Sequence, residues 1–513
     1  MDCQPEQPKT RCLCVLFNSV EFLFFFLPIT LFFYFWLSKK RLTQASKAWL
    51  VFASLFFYSW WNIIYLPLIL GSILFNFAVG STISKRDDTA SSLKKRLSRK
   101  SLLVFGVVSN ILLLGYFKYM DFFIANTNTV LGTDMGLLHI ILPLGISFFT
   151  FTQIAYLVDA YRNEVKEMDY LNYTLFVTFF PHLLAGPILH HKEMMPQFDS
   201  LKSKVVNYKN ILMGLFLFSV GLFKKVIIAD TFAQWATTGF DKASALNFFE
   251  AWATSLSYTF QLYFDFSGYT DMAIGLALLF NIKLPINFNS PYKATDIQDF
   301  WRRWHMTLSR FLRDYIYIPL GGNRKGEFRT YNNLMVTFLL GGIWHGAGWT
   351  FVFWGFLHGA ALVIHRMWHS MGFRLWKWVA WFVTFNFVNV TWVFFRAEEW
   401  KDAIDILSSM FSLNNIVLPE VLASDLHFLS QYGVEFGGFT KHIHAGGEIV
   451  VWLFIGFVLT LFFKNSMQQI KYPHLLELKN IGILKLTVYS LIFLGSLVAM
   501  TLQTYTEFIY FNF

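Results

Sequence analysis

The chain has 513 residues, with 42 Lys and Arg against 32 Asp and Glu, which gives a net charge of +10. Hydrophobic residues make up 55% of the chain and charged residues only 14%, whereas a soluble domain carries about a quarter charged residues. This composition excludes a soluble globular protein and a disordered chain. The long apolar runs predict an all-α protein that crosses a membrane many times.

All three cysteines, Cys3, Cys12 and Cys14, lie in a polar N-terminal stretch. The rest of the chain has none, which excludes a disulfide framework, an iron–sulfur cluster and a cysteine nucleophile there. The stretch has no apolar core, so it is not typical of a cleavable signal peptide. We therefore expect a polar extension over residues 1–16 and a single transmembrane domain over residues 17–513.

In chain order, the first predicted span is Phe17–Leu37. The apolar segment Trp49–Ile83 is too long for one crossing and contains Pro67, which predicts two short helices. The loop Lys85–Lys100 carries seven Lys or Arg and is expected on the cytoplasmic side by the positive-inside rule. Further spans are predicted at Leu102–Tyr119, Ile140–Val158, Ile211–Ile228, Trp252–Ile282, Leu334–Gly348, Phe351–Met367, Trp376–Phe395, Ile449–Phe463 and Leu484–Leu502.

Two stretches between these spans have a different character. Tyr170–His190 is apolar but interrupted by Pro181, Gly186 and Pro187, which predicts a re-entrant loop shielded by the rest of the protein. Ala397–Glu448 carries eight acidic residues and is expected on the outer side. The complete pattern predicts roughly eleven crossings without an internal repeat.

The segment Asp299–Asp314 carries aromatic and basic residues at helical spacing. Tryptophans fall on one face of this predicted helix and arginines on another: Trp301, Trp304, Arg303, Arg310 and Arg313. Such a helix lies flat at the cytoplasmic interface. The arginines have two interpretations, which are ordinary positive-inside anchoring and a docking surface for the phosphates of an anionic donor such as coenzyme A.

One ionisable residue lies deep inside a predicted span. His345 follows the polar pair Asn332–Asn333 by about a dozen residues, which places it roughly 18–20 Å into the membrane. A buried ionisable residue is a functional candidate, and four neighbouring glycines allow close approach to its ring. The alternative is a histidine hydrogen-bonded to a backbone carbonyl. His305, among the aromatic residues of the interfacial segment, is more often a packed residue than a catalytic one.

Other polar residues give weaker signals. Asp265 and Asp271 lie in an apolar run, where a structural bond to a neighbouring helix is favoured over a polar cavity. His182 falls in the predicted re-entrant loop and can line a cytoplasmic vestibule. His365 and His369 are four residues apart but lack the glutamate of an HExxH motif, so no metal site is predicted.

Four long motifs together resemble the membrane-bound O-acyltransferase superfamily, and within it the bacterial alginate and peptidoglycan O-acetyltransferase branch. They read FFPHLLAGPILHHKEM, QLYFDFSGYTDMAIGLALLF, FWRRWHMTLSRFLRDYIYIPLGGNR and LGGIWHGAGWTFVFWGFLHG. The likeness runs from about Phe17 to the closing FIYFNF. It implies a ring of tilted helices with re-entrant and interfacial helices, a catalytic His345 and a second signature histidine, His305.

The resemblance also implies an activity and its partners. An acyl group would pass from a cytoplasmic thioester, with acetyl-CoA as donor and no bound cofactor, to a hydroxyl outside the bacterial inner membrane. The donor would be held by Arg302, Arg303, Arg310, Arg313, Trp301 and Trp304. The acceptor would be a polysaccharide or a periplasmic SGNH-type acetyltransferase, and no nucleic acid is involved.

Two mechanisms agree equally well with these residues, namely general-base catalysis by a neutral His345 and an acetyl-His345 intermediate. The acceptor glycan stays open at this point. One alternative function is acyl transfer from a D-alanyl carrier protein or a long-chain acyl-CoA. Another is a transporter in which the buried histidine relays protons.

Overall fold

A computed structural model describes residues 17–85, 98–165, 169–184, 186–243, 245–474 and 482–502. The described chain is helical apart from two three-residue strands and the connecting loops. The polar extension over residues 1–16 and most of the basic loop lie outside the described residues. The division into an extension and one domain therefore stays a prediction.

The first five helices follow the apolar runs closely. They are α1 (Leu27–Lys39), continuing a π-helical turn at Phe22–Phe26, α2 (Thr43–Trp61), α3 (Leu66–Lys85), α4 (Arg99–Leu131) and α5 (Ile146–Tyr161). The predicted break near Pro67 is confirmed, because α2 ends before Asn62, whose side chain accepts a hydrogen bond from the Ile64 backbone, and a short 3₁₀ turn leads into α3.

The central part of the chain contains the broken segment predicted as re-entrant and the longest buried helix. Its helices are α6 (Tyr170–Thr178), α7 (Phe180–Leu183), α8 (His191–Asp199), α9 (Tyr208–Phe223), α10 (Asp230–Thr237) and α11 (Phe248–Leu279). Helix α11 crosses α9 at two glycine pairs. A Cβ on Gly268 would meet the Gly221 carbonyl oxygen at 2.8 Å, and one on Gly275 would meet the Gly214 oxygen at 2.6 Å.

The next helices carry the motifs with aromatic and histidine residues. They are α12 (Ile297–Arg303), α13 (Met306–Leu312), α14 (Glu327–His345), α15 (Trp349–Ser370), α16 (Lys377–Arg396) and α17 (Trp400–Phe411). The prediction of one continuous helix over Asp299–Asp314 is wrong. The backbone of His305 has a φ of 41°, which is incompatible with a right-handed helix, so α12 and α13 meet at an angle there.

The last part contains the acidic segment that we expected on the outer side. Strand β1 (Val417–Pro419) pairs in parallel with β2 (Glu435–Gly437) across the short α18 (Ala423–Leu426). The closing helices are α19 (Glu448–Leu461), α20 (Ser466–Gln469) and α21 (Ile483–Leu502).

Five stretches in the described residues are long and apolar enough to cross a membrane: Phe22–Lys39, Ile63–Lys85, Arg99–Leu131, Tyr208–Lys242 and Lys377–Arg396. The predicted total of about eleven crossings stays a prediction. Two large apolar cores share helix α11. Its second half packs with α1–α9, and its first half packs with α12, α15, α16 and α19. A smaller cluster joins α5 and α13 to the end of α14.

Candidate active site

His345 is the last residue of α14 and lies at a sharp connection between α14 and α15. Gly346 and Gly348 both adopt an extended backbone, so the chain leaves one helix and enters the next within three residues. The two helices approach closely, because a Cβ on Gly342 would meet the Phe351 carbonyl oxygen at 2.4 Å. The glycines of this motif therefore hold the two helices in contact beside the histidine.

The imidazole of His345 is buried, with 8% of the residue exposed. Three aromatic rings meet it edge-on, with ring centroids at 4.8 Å for Trp344, 5.2 Å for Trp354 and 5.0 Å for Phe395. The ring is thus enclosed by apolar surface from α14, α15 and α16. Lys118 of α4 donates hydrogen bonds to the backbone carbonyls of Trp344 and His345, at 2.7 and 2.8 Å.

His305 also lies beside Trp344, with ring centroids 6.4 Å apart, so both histidines contact the same indole. The His305 Nδ1 lies 3.0 Å from the side-chain oxygen of Asn287. That oxygen also accepts hydrogen bonds from the Thr307 backbone N–H and hydroxyl, so Nδ1 must carry the hydrogen and Nε2 a lone pair. The His305 Nε2 has no hydrogen-bond partner among the described residues.

Asn287 also explains the left-handed backbone of His305. A non-glycine residue in this conformation costs about 1–3 kcal/mol unless its surroundings hold it. The Asn287 backbone carbonyl accepts the Met306 N–H at 2.9 Å, while its side chain binds Thr307. Asn287 therefore clamps the turn between α12 and α13 and orients the imidazole at the same time. In the sequence, Asn287 is one of two neighbouring asparagines in a short loop, and nothing in their spacing indicates which of them contacts His305.

A third histidine, His358 of α15, is fully buried and has both ring nitrogens bonded. The Trp301 indole N–H donates to its Nδ1 at 3.2 Å, so its Nε2 carries the hydrogen and donates to the Thr391 hydroxyl at 3.1 Å. The Thr391 hydroxyl in turn donates to the Val388 carbonyl at 2.8 Å. This chain of hydrogen bonds joins α12, α15 and α16. His358 therefore has a structural role, which the sequence did not suggest.

A cavity of about 480 Å³ opens beside α12, α14 and α15. It is lined by basic and apolar residues, including Trp301, Arg302, Arg313, Phe338, His365 and Arg366. Arg302 is exposed, Arg313 pairs with Asp314 at 2.7 Å, and Arg366 pairs with Glu327 at 2.8 Å. The Asp314 carboxylate raises the pKa of the Arg313 guanidinium, so Arg313 stays charged at every physiological pH.

The cavity follows α14 towards His345. Its lining on this helix runs from Glu327 to Phe338, which is about 16 Å at 1.5 Å per residue. His345 lies two further turns along, or about 10 Å. The indoles of Trp301 and Trp354, whose centroids are 5.8 Å apart, lie between the cavity and the His345 ring.

The remaining predicted donor residues do not line this cavity. Arg303 pairs with Asp299 at 2.9 Å within α12, and Arg310 makes a two-pronged ion pair with Glu193 at 2.6 and 2.9 Å. Trp304 is buried in the aromatic core, stacked on Phe300 and Tyr292. The structure thus brings Trp301, Arg302 and Arg313 to one cavity and leaves the other three outside it.

The contacts described for Asp265, Asp271 and His182 involve neither the residues that line the cavity nor His305 and His345. The Lys225 ammonium contacts Asp265 at 2.7 Å and Asp230 at 2.6 Å. Asp271 pairs with Lys224 at 2.7 Å and accepts the Ser466 hydroxyl. The Nε2 of His182 contacts the Phe176 carbonyl at 2.9 Å. The residues described by the structure contain no group of three or more His, Cys, Asp or Glu that could hold a metal ion.

A family model described as membrane-bound O-acyltransferase matches residues 23–398. The chain belongs to the membrane-bound O-acyltransferase family. It is therefore an acyltransferase and a multi-pass membrane protein, as the resemblance implied.

Relatives of this acyltransferase include enzymes with three named activities. It is 46% identical to the peptidoglycan O-acetyltransferase of Helicobacter pylori, over 98% of each chain. It is 39% identical to a probable alginate O-acetylase of Pseudomonas aeruginosa, over 90% of this chain and 84% of the relative. A teichoic acid D-alanyltransferase of Streptococcus thermophilus is 30% identical over only 44% of this chain.

Proposed function

We propose that this acyltransferase takes the acetyl group of acetyl-CoA at the cytoplasmic face of a bacterial inner membrane and passes it to a hydroxyl for O-acetylation of peptidoglycan. The relative named for peptidoglycan supports this acceptor over alginate, because it is 46% identical to this chain, against 39% and 36% for two relatives named for alginate. A D-alanyl donor has less support, since the relatives with that activity match less than half of the chain.

The observation that carries the proposal is the basic cavity that follows α14 towards His345. The diphosphate of coenzyme A pairs well with arginine guanidinium groups, and Arg302 and Arg313 line the cavity. Arg302 has no ion pair among the described residues, so it can bind a phosphate without breaking an existing contact. The narrow pantetheine arm would then extend along α14, and movement of the Trp301 and Trp354 indoles would let the thioester reach the histidine.

At the reaction centre, the proposed base is the neutral imidazole of His345. It accepts the proton of the acceptor hydroxyl while the hydroxyl oxygen bonds to the thioester carbonyl carbon. The carbon–sulfur bond then breaks, the thiolate of coenzyme A leaves, and the imidazolium returns the proton to the sulfur. Direct attack by a His345 nitrogen, through an acetyl-histidine, would give the same products.

His305 is proposed to orient the reactants. Asn287 keeps its Nδ1 protonated, so the lone pair of Nε2 is available to accept a hydrogen bond from an amide N–H of the pantetheine arm. The acceptor is either a glycan hydroxyl or a serine or threonine of a periplasmic SGNH-type acetyltransferase. Both reactions consume one hydroxyl and one thioester, and both release one free thiol.

The test is release of the coenzyme A thiol from acetyl-CoA by the detergent-purified protein, with and without such a periplasmic partner. His345→Ala is expected to lower turnover by about 10²–10⁴-fold, the usual contribution of a general base. His427→Ala, at an exposed position of the acidic segment, is the matched control and is expected to keep wild-type turnover. Arg302→Ala is expected to raise KM for acetyl-CoA about tenfold or more, since a charge-assisted hydrogen bond contributes about 1.5–3 kcal/mol.

Near-wild-type turnover in a folded His345→Ala variant would refute the proposed chemistry. Turnover with a D-alanyl carrier protein but not with acetyl-CoA would instead identify a different donor. Proton flux in liposomes without any thiol release from the folded protein would favour the transporter alternative.

A further inference from the structure

Helix α14 ends at His345, and the residues that follow it in the chain do not cap its C-terminus. The last four carbonyls of a helix have no partner inside it, and a glycine in the left-handed conformation usually turns the chain back to satisfy them. Gly346 is extended here, with a φ of −159°, so it cannot do this. The carbonyls beside the proposed catalytic residue are therefore left to side chains of other segments or to water.

Helix α4 provides such side chains. The Lys118 ammonium binds the carbonyls of Trp344 and His345 at 2.7 and 2.8 Å, and the Tyr119 hydroxyl donates to the Ile343 carbonyl at 2.6 Å. Three consecutive carbonyls of the final turn of α14 are thus held by two adjacent residues of α4. These residues are more than 220 positions apart in the sequence from the carbonyls they bind.

The same face of α4 also holds the beginning of α15. Four residues after Lys118, the Phe122 ring lies 5.8 Å from the Trp349 ring. After another helical turn, the Asn126 side-chain oxygen accepts the Trp349 indole N–H at 2.9 Å. Residues spaced by four share one face of a helix. One face of α4 therefore contacts both the end of α14 and the beginning of α15.

A lysine at position 118 lowers the stability of the protein unless favourable contacts offset the desolvation of its charge. The charge lies in a helix of membrane-spanning length and composition, where an ammonium is unfavourable by several kcal/mol. Two interactions stabilise the Lys118 ammonium in this position, namely its two hydrogen bonds and its attraction to the negative end of the α14 dipole. An apolar residue at this position would avoid the desolvation penalty, so packing between α4 and α14 alone does not account for Lys118.

We infer that Lys118 is a positioning residue for acyl transfer, which holds the final turn of α14 so that His345 and Trp344 face the reacting groups. This inference rests on the proposed role of His345. The imidazole projects from the same residue whose carbonyl Lys118 binds, so fraying of this turn would move the ring directly. Misplacement of a reacting group by about 1 Å can cost about 10²-fold in rate.

The experiment compares Lys118→Met, Lys118→Gln and Lys118→Arg with the wild type in the thiol-release assay. Lys118→Met is expected to lower kcat by about 30–100-fold with KM for acetyl-CoA changed less than threefold, because the cavity lies along the other end of α14. Lys118→Arg keeps two donors and the charge, and it is expected to recover kcat to within about tenfold of the wild type. Tyr116→Phe, at an exposed side chain of the same helix, is the matched control.

A second measurement separates positioning from folding. The melting temperature in detergent is expected to change little in Lys118→Met, because the loss of two hydrogen bonds to the α14 carbonyls offsets the relief of the desolvation penalty of the buried charge. Modification of His345 by diethyl pyrocarbonate, followed by mass spectrometry, is expected to be at least threefold faster than in the wild type. Modification of His358, which is bonded through both nitrogens, is expected to stay the same.

Three results would overturn the inference. These are full kcat in a folded Lys118→Met variant, equal His345 modification in that variant and the wild type, and failure of both neutral variants to fold while Lys118→Arg folds. The last result would assign Lys118 to assembly of the helices. His345→Ala is measured in the same assay. Retained turnover in His345→Ala would count against the proposed function itself. Loss of turnover in His345→Ala, together with an active Lys118→Met, would count only against the positioning role of Lys118.

Discussion

Asn287 offers the sharpest test of how the two-histidine site is held. Its side-chain oxygen accepts three hydrogen bonds, from the His305 ring N–H and from the Thr307 backbone and hydroxyl. All these groups are buried. Asn287→Ala removes the acceptor from three donors in one substitution, and it leaves the His305 ring free to rotate or to change tautomer.

The magnitude follows from those three bonds. A hydrogen bond contributes about 1 kcal/mol net, and a buried donor left without a partner costs about 1–3 kcal/mol. We therefore expect Asn287→Ala to lower the free energy of unfolding by about 3 kcal/mol, with a larger loss only where no water enters the gap. Turnover is expected to fall by about 10–100-fold in the folded fraction, because the lone pair of His305 Nε2 is no longer directed.

Unfolding in detergent and thiol release from acetyl-CoA measure the two effects. Asn289→Ala is the matched control, since Asn289 lies two residues away and its side chain instead accepts bonds from Asn465 and Gln468. Asn287→Asp retains the acceptor oxygens and should keep more activity than Asn287→Ala. The reasoning would be refuted if Asn287→Ala and Asn289→Ala behaved alike in both assays.

Two further predictions concern the packing of the helices and the buried charges. Gly342→Ala places a Cβ 2.4 Å from a backbone oxygen of α15 and should lower the free energy of unfolding by about 1–3 kcal/mol. Gly71→Ala, with no atom within 4 Å of its Cβ, is the control and should change it little. Equal melting temperatures of the two variants in detergent would contradict this prediction. Lys225→Met leaves two buried carboxylates without their shared cation and should cost about 3–5 kcal/mol. Adding Asp230→Asn and Asp265→Asn should restore most of that loss in denaturant titrations, and no recovery would disprove the ion-pair account.

Several features of the site follow from residue type and local order. The span Leu334–Gly348 was predicted from its apolar run, and His345 was singled out as an ionisable residue inside it; the structure ends α14 at His345. A break near Pro67 was predicted because proline removes a helical hydrogen bond, and the structure places it just before Pro67, between α2 and α3. Lys118 had a comparable signal, as a lone lysine in the apolar run Leu102–Tyr119, but sequence alone did not indicate which carbonyls it would bind.

Other features depended on contacts between distant parts of the chain. Helical periodicity over Asp299–Asp314 favoured one helix, but binding of the next segment to Asn287 breaks it at His305. The same periodicity grouped Arg303 and Arg310 with Arg313, whereas their ion pairs with Asp299 and Glu193 draw them away from the cavity. Spacing describes which residues share a face of an ideal helix, and it carries no information on tertiary partners.

The sequence by itself determined the membrane class, the approximate helices, the family resemblance and the candidate histidine, because hydropathy is a sum over neighbouring residues and the motifs are local strings. Only the tertiary structure decided that α4 caps α14, that Asn287 orients His305, and that Trp301, Arg302 and Arg313 share one cavity. Hydrogen bonds and close ion pairs form at distances of about 3 Å between the paired atoms, so their formation depends on how helices far apart in the sequence pack together.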